Sequence, residues 1–448
     1  MAIFSTGWFV SGISWVHVSI DQFGGLPLIV SLLLMLLLCL YLAIFPTLSA
    51  YLATRFSKNK ALNLWLLVPC WLFCEYLRSV VLTGFPWLSL GYSQIDSPFR
   101  VLAPVIGEVG LSAVVLVINI SLALIFTRIK QPKAKIETIS LTLPLTSVFF
   151  IALITFALSN VQWTSLNGKT VSVALVQGNI EQSIKWKPEQ EWPTMLKYLD
   201  LTRVNYDADI IVWPESAIPS MEPAIQDYLS TVNSSAILND SAIITGLINY
   251  NFESREYFNG MMVLGKKDDS DEQGYYYNHG NRYYKHHLLP IGEFVPFQEL
   301  LRPIAPFFNL PMSSFTRGAY VQPNLKAKGV SLLALNCFEV AFPHQVSANV
   351  TPLTDMIITV SNDAWFGNSH GPHQHMDIAR MRALEFGRPL LRATNTGVTA
   401  ITDHLGKTIK QAPQFEQSVI QAPVKLVTGL TPYSRFDNLP IYLLALLS

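Results

Sequence analysis

The sequence predicts a multi-pass α-helical membrane bundle followed by an α/β soluble domain. Three observations lead there. Half of the 448 residues are hydrophobic and only 14% are charged, against roughly 25% charged in an ordinary soluble domain. The apolar excess is confined to the first third, where from Met1 to Trp163 the acidic residues are Asp21, Glu75, Asp96, Glu108 and Glu137. From about Lys169 onward, short β-branched runs alternate with amphipathic stretches, the pattern of strands and helices in layers. The division expected is a transmembrane region over 1–163, a soluble domain over 169–430, and at 438–448 the start of a truncated transmembrane helix.

In chain order, the apolar stretches 26–54, 62–81, 109–127 and 141–158 each approach the roughly 20 residues a spanning helix needs. The stretch 7–20 is apolar but short and carries His17. Arg55, Lys58 and Lys60 follow one span, and Arg128, Lys130, Lys133 and Lys135 follow another, whereas the intervening loops hold Arg100 as their one basic residue. Basic loops stay in the cytoplasm, so the soluble domain is expected on the outer side, the periplasm of a bacterial inner membrane. The first segment lacks the basic start of a cleavable signal and runs through Gly24-Gly25 into the next span. Glu75 and Arg78, three apart inside a span, share a helix face and can pair.

In the soluble part, the runs 171–177, 210–213, 242–247, 260–264, 330–335, 355–360 and 398–402 read as buried strands. Stretches 188–206 and 375–387 read as amphipathic helices, the second with Met376, Ala379, Ala383 and Phe386 near one face. Zero net charge and no basic patch exclude nucleic acid as a partner. Of four cysteines, Cys39, Cys70 and Cys74 lie in apolar segments, so the soluble domain, holding Cys337 alone, has no internal disulfide.

Three strand-end positions can carry chemistry: Glu215 after Ile210-Ile-Val-Trp-Pro214, Lys285 in Tyr283-Tyr-Lys-His-His287, and Cys337 after Ser331-Leu-Leu-Ala-Leu-Asn336. Residues just beyond a buried strand sit at the sheet rim, where α/β domains place their sites. A thiol is mostly protonated at neutral pH. A nearby cation lowers its pKa and a carboxylate can take its proton. Glu215 fits the general base. Lys285, with the backbone N–H after Cys337, fits the oxyanion site. Spacing alone leaves open whether the three meet.

Together they are much more specific. Glu, Lys and Cys in that chain order resemble the nitrilase superfamily of carbon–nitrogen hydrolases. The stretches Gly84-Phe-Pro-Trp-Leu88, Gly91-Tyr-Ser-Gln-Ile-Asp96, Val176-Gln-Gly-Asn-Ile180, Trp213-Pro-Glu-Ser216, Tyr284-Lys-His-His-Leu-Leu-Pro-Ile-Gly-Glu-Phe-Val-Pro296, Asn336-Cys-Phe-Glu339 and Ser361-Asn-Asp-Ala-Trp-Phe-Gly367 resemble the apolipoprotein N-acyltransferase family within it. The resemblance covers essentially the whole chain. It implies a nitrilase-like αββα sandwich on a membrane bundle, and two-step acyl transfer from a phospholipid through a Cys337 thioester to the α-amine of a diacylglyceryl-cysteine lipoprotein. Glu215, Lys285 and Cys337 then align with the catalytic triad and Glu293 with a supporting glutamate, and Phe338 and Glu339 stand beside the nucleophile. Phe338 replaces the family's usual tyrosine. Relative to about eight spans in the family, this chain is expected to lack the first one or two and most of the last. No metal or organic cofactor is expected, and a monomer is.

Trp87, Trp186 and Trp365 are candidates to line the lipid or substrate site. The segment 300–315, with Arg302 as its one charge, suits a loop that dips into the membrane or lids an acyl pocket. His373 and His375 are weak metal candidates, since tight sites need three or four converging ligands. The competing readings are a membrane-tethered amidase or nitrilase using the same three residues with water as acceptor, and a non-catalytic channel or scaffold. The spans argue against the former and the filled triad against the latter.

Overall fold

Alternation along the strands decides the architecture of residues 164–430. In β1 (Ser165–Gln177), Val171, Val173 and Leu175 turn to one face, and Ala174 and Val176 to the other, as the two-residue period of a strand requires. The same parity runs through β2 (Ile210–Val212) and β3 (Ala242–Asn251). Ile210, Val212, Ala242 and Ile244 join the first set, and Ile211 and Ile243 the second. The first set meets Leu332, Ala334, Met356, Ile358, Val360, Leu391 and Ala393 of another sheet. The second meets Met195, Tyr198, Leu199, Leu229, Val232 and Ala236 of the helices Pro188–Arg203 and Gln226–Leu238. Strands covered on both faces read as unbroken apolar runs, which is why these were visible in the sequence.

The computed structural model describes residues 1–57, 63–130, 141–268, 270, 274–295 and 314–447. The remaining strands are β4 (Glu256–Gly265), β5 (Arg282–Tyr284), β6 (Leu325–Ala327), β7 (Val330–Asn336), β8 (Met356–Ser361), β9 (Leu390–Thr394), β10 (Ala400–Thr402), β11 (Thr408–Gln411) and β12 (Ser418–Thr428). They form two six-stranded sheets, ordered β12-β1-β2-β3-β4-β5 and β11-β10-β9-β8-β7-β6. Each has a parallel centre, β1-β2-β3 and β7-β8-β9, flanked by antiparallel strands. Helices Pro343–Asn349 and Gly371–Phe386 cover the outer face of the second sheet. The layers are helix, sheet, sheet, helix. By contacts this unit comprises 15–32 and 164–430.

A second unit comprises 1–14, 33–163 and 431–448. The helical stretches Leu28–Phe56, Leu64–Thr83 and Pro98–Ile129 are long and apolar enough to cross a membrane, and a fourth span results if Ala2–Gly12 and Val16–Phe23 count as one bent pair. Thr142–Leu158 is apolar but has 17 residues, the lower limit for spanning. The helix expected from residue 109 begins earlier, at Ala103, and kinks at Gly107. There φ is +63°, and a Cβ would fall 2.2 Å from the Tyr433 ring, so glycine alone fits. Arg78 Nη2 lies 3.6 Å from Glu75 Oε1, while its Nη1 donates to the carbonyls of Phe85 and Trp87 at 2.7 and 2.6 Å. Leu82, Thr83 and Leu88 all have positive φ, so this turn cannot satisfy its carbonyls helically. A buried guanidinium supplies the donors a bilayer withholds.

Lys58, Lys60, Lys133 and Lys135 of the basic loops, and the apolar segment 300–315 up to residue 313, lie outside the described residues.

Candidate active site

Glu215 is the third residue after β2, and Trp213 N–H still donates to Ile244 O at 2.8 Å, extending the sheet to the rim. There β3 must come very close: a Cβ on Gly246 would stand 2.8 Å from Glu215 Cα and Ser216 N. Lys285 follows β5, its N–H donating to Asn259 O on β4 at 2.8 Å. Cys337 follows β7 with φ +55°, the left-handed region, where a non-glycine residue is strained and is often functional. Ser361 ends β8.

These rims converge. Glu215 Oε1 accepts from Asn259 Nδ2 at 2.9 Å and lies 3.7 Å from Lys285 Nζ. Glu215 Oε2 accepts from the Asn362 N–H at 3.0 Å. The adjacent Ser361 Oγ is 3.2 Å from Cys337 Sγ, so one dipeptide touches both the base and the nucleophile. Glu293 holds Lys285 Nζ with both oxygens, at 2.9 and 2.7 Å, and accepts from Asn259 Nδ2 at 2.7 Å and Leu289 N–H at 2.8 Å. Asn336 Nδ2 donates to Asn259 Oδ1 at 2.9 Å. Asn259, mid-strand, is thus the hub between carboxylates and nucleophile strand. Nothing in its sequence context marked it.

Burial is the main influence on the Cys337 thiol and pushes it well above the usual thiol range. Glu215 adds to the rise and Lys285 opposes it. A nearby cation is expected to lower a thiol pKa, and Lys285 does act in that direction, but desolvation outweighs it. The thiol is therefore protonated at rest. For Lys285, burial pulls downward, but Glu293 and Glu215 together raise it above the ordinary lysine value, so it stays an ammonium. The site holds a neutral nucleophile, a hydrogen-bonded carboxylate and a fixed cation.

Glu339 is fully buried and accepts from the N–H groups of Asn336, His286 and His287, Tyr283 OH and Gln345 Nε2, at 2.7 to 3.0 Å. It ties the turn after β7 to the segment carrying Lys285. Phe338 is buried with its ring 5.1 Å from Phe342 and 5.8 Å from His287, an apolar surrounding that suits phenylalanine. Trp186 and Trp365 are 39% and 41% exposed. Trp365 meets Phe23 edge-on at 5.3 Å, and its carbonyl accepts from Ser19 Oγ at 2.7 Å. Trp87 belongs to the helical unit, where it is buried against Phe85. Among the described residues, no group of three or more His, Cys, Asp or Glu side chains could hold a metal ion.

Lys185 is a second buried cation that the sequence did not signal. Its Nζ donates to Glu215 O at 3.3 Å and sits 5.8 Å from the Trp186 ring centre. Burial brings it from 10.5 down to about 8, with Glu215 opposing. The unfolded chain then holds that proton more tightly than the native one, so stability rises with pH between about 8 and 10.5. Lys185→Met is expected to abolish that rise. Melting curves of both proteins in detergent across this window check it, and parallel pH dependences would refute it.

Residues 172–429 match the family model Carbon-nitrogen hydrolase, and residues 1–121 match Apolipoprotein N-acyltransferase N-terminal domain. An apolipoprotein N-acyltransferase from Vibrio cholerae is 50% identical over 444 residues, 98% of this chain and 85% of its own length. One from Shewanella oneidensis is 50% identical over 98% of this chain and 84% of its own. One from Haemophilus influenzae is 40% identical over 99% and 84%. Among solved structures, a nitrilase-superfamily protein of Saccharomyces cerevisiae aligns with TM-score 0.42 and 14% identity over 59% of this chain and 92% of its own.

Proposed function

Because the chain belongs to the apolipoprotein N-acyltransferase family of the carbon–nitrogen hydrolase superfamily, we propose that Cys337, Glu215 and Lys285 carry its acyl transfer. In the first half-reaction the Cys337 sulfur attacks an ester carbonyl of a phospholipid while Glu215 takes the thiol proton. Lys285 Nζ and the Phe338 N–H face the developing oxyanion. The tetrahedral intermediate collapses, Glu215 returns the proton to the leaving alcohol, and a lysophospholipid departs from the thioester. In the second, the α-amine of a diacylglyceryl-cysteine attacks the thioester. Glu215 takes an amine proton and delivers it to the leaving sulfur, which restores the thiol. A thiol kept neutral by burial fits a base that acts during attack rather than before it.

One observation carries this reading: Asn259 and Glu293 link the Glu215 carboxylate to the Lys285 ammonium, and the Ser361-Asn362 dipeptide links it to the Cys337 sulfur, in one hydrogen-bonded cluster. Glu293 supports it by fixing Lys285. The match of residues 1–121 to an acyltransferase N-terminal domain favours lipid substrates over the water-accepting amidase reading. We assign residues 169–430 to catalysis on the periplasmic side of a bacterial inner membrane, 1–163 to its spans and 438–448 to the start of another, with the monomer as the working unit. Exposed Trp186 and Trp365 are assigned to substrate; Trp87, 1% exposed and packed on Phe85, has no surface to offer a lipid.

The test is mass spectrometry of the membrane-purified enzyme given phospholipid. A hydroxylamine-labile acyl adduct is expected on Cys337 and on no residue of Cys337→Ala. An enzyme that turns over without that adduct would disprove the thioester route.

A further inference from the structure

A buried polar ring beside Cys337 takes no part in the steps above. Asp363, His375 and Arg392 are at most 1% exposed. His375, on the helix Gly371–Phe386, places Nε2 3.1 Å from the carbonyl oxygen of Cys337. Arg392 Nη2 lies 2.9 Å from His375 Nδ1 and 2.7 Å from Asp363 Oδ2. A carbonyl only accepts and a guanidinium only donates. Both contacts therefore select the tautomer with its proton on Nε2, an assignment made from the partners. Asp363 Oδ1, 3.1 Å from Nδ1, receives its hydrogen bond from Ser361 Oγ at 2.6 Å. Burial and the Arg392 charge hold the His375 pKa below its ordinary value. Asp363 is pushed up by burial but brought well below the carboxylate range, chiefly by the Arg392 charge. The ring is thus a guanidinium, a carboxylate and a neutral imidazole.

The carbonyl that His375 grips is one end of a lever. In a planar trans peptide the C=O and the N–H point in opposite directions, and the N–H at the other end of this plane is that of Phe338. Cys337 is strained at φ +55°, and relaxing into the right-handed region would swing the same plane. We propose that His375, held by Asp363 and Arg392, is a positioning residue for the oxyanion site: by anchoring the Cys337 carbonyl it keeps the Phe338 N–H aimed at the reacting carbonyl. This deepens the acyl-transfer reading and rests on it.

Two near-isosteric variants separate the roles of the two ring nitrogens. Glutamine places an amide nitrogen near the position of Nε2 and can keep the grip on Cys337. Asparagine ends near Nδ1 and keeps only the Asp363 and Arg392 side. With phospholipid vesicles in single turnover, H375N is expected to form the Cys337 adduct about 100-fold more slowly and H375Q within about fivefold of wild type, the loss typical of one oxyanion donor. Alkylation of Cys337 by iodoacetamide, a displacement at saturated carbon with no oxyanion, is expected to change less than about threefold in both. H375N acylating at the wild-type rate would overturn the proposal. So would acylation and alkylation falling together, or H375N failing to fold where H375Q folds, since each assigns the histidine a merely structural role. A wild-type enzyme that is alkylated yet forms no adduct would instead remove the thioester reading on which the inference stands.

Discussion

Glu215→Gln is expected to slow thioester formation on Cys337 by about 10³-fold, within the 10²–10⁴ a positioned general base supplies. The thiol is held protonated by burial, so attack requires a base in place to take the proton. An amide cannot take it. The change also disturbs the cluster. Glu215 accepts at Oε1 from Asn259 Nδ2 and at Oε2 from the Asn362 N–H, so a glutamine amide nitrogen must face one donor or the other. Unpaired buried donors cost about 1–3 kcal/mol each. A modest drop in melting temperature should therefore accompany the kinetic loss. Single-turnover adduct formation, read by mass spectrometry beside iodoacetamide alkylation, checks the base role. Adduct formation at the wild-type rate would end it.

Lys285→Met is expected to act on both stability and rate. The ammonium is 2% exposed, with Glu293 at 2.7 Å and Glu215 at 3.7 Å. Removing one partner of a buried ion pair costs about 3–5 kcal/mol, because the remaining charge stays buried; here two carboxylates are left. Acylation should also fall at least about 100-fold with the oxyanion donor gone. The double variant Lys285→Met/Glu293→Gln separates the effects: it should regain much of the stability and none of the rate. Rate recovering with stability would show that Lys285 only holds the fold. The pH dependence has a definite sign. Lys285 is raised in the fold, so its stabilisation is complete below the ordinary lysine value of 10.5 and is lost only as pH rises through the higher native one. It contributes no slope near neutrality or up to about pH 10, so it does not mask the rise expected from Lys185.

Strands buried on both faces, such as 171–177 and 330–335, were legible because packing on both sides demands an unbroken apolar run. β12 was not, since it alternates buried with exposed residues and contains Pro423. β5 and β6 span three residues each, too few for a periodicity. β9 carries Arg392, which reads as a surface charge until Asp363 is seen opposite it. His375 drew attention only as half of a weak metal pattern, while its partners are a carbonyl and a guanidinium.

Local composition already specifies the layered α/β domain and the apolar helices ahead of it, because buried strands and spanning helices each impose their own hydrophobic pattern. Glu215, Lys285 and Cys337 stand out only as strand-end residues; their proposed roles as base, cation and nucleophile come from the resemblance to the family's chain order. That burial outweighs Lys285 at the thiol, that Asn259 links Glu215, Glu293 and Asn336, and that His375 lies against the carbonyl of Cys337 emerge only in the folded chain. Desolvation and hydrogen-bond partnership depend on which groups surround an atom in space. These partners lie tens to more than a hundred residues apart along the chain, so no local pattern encodes them.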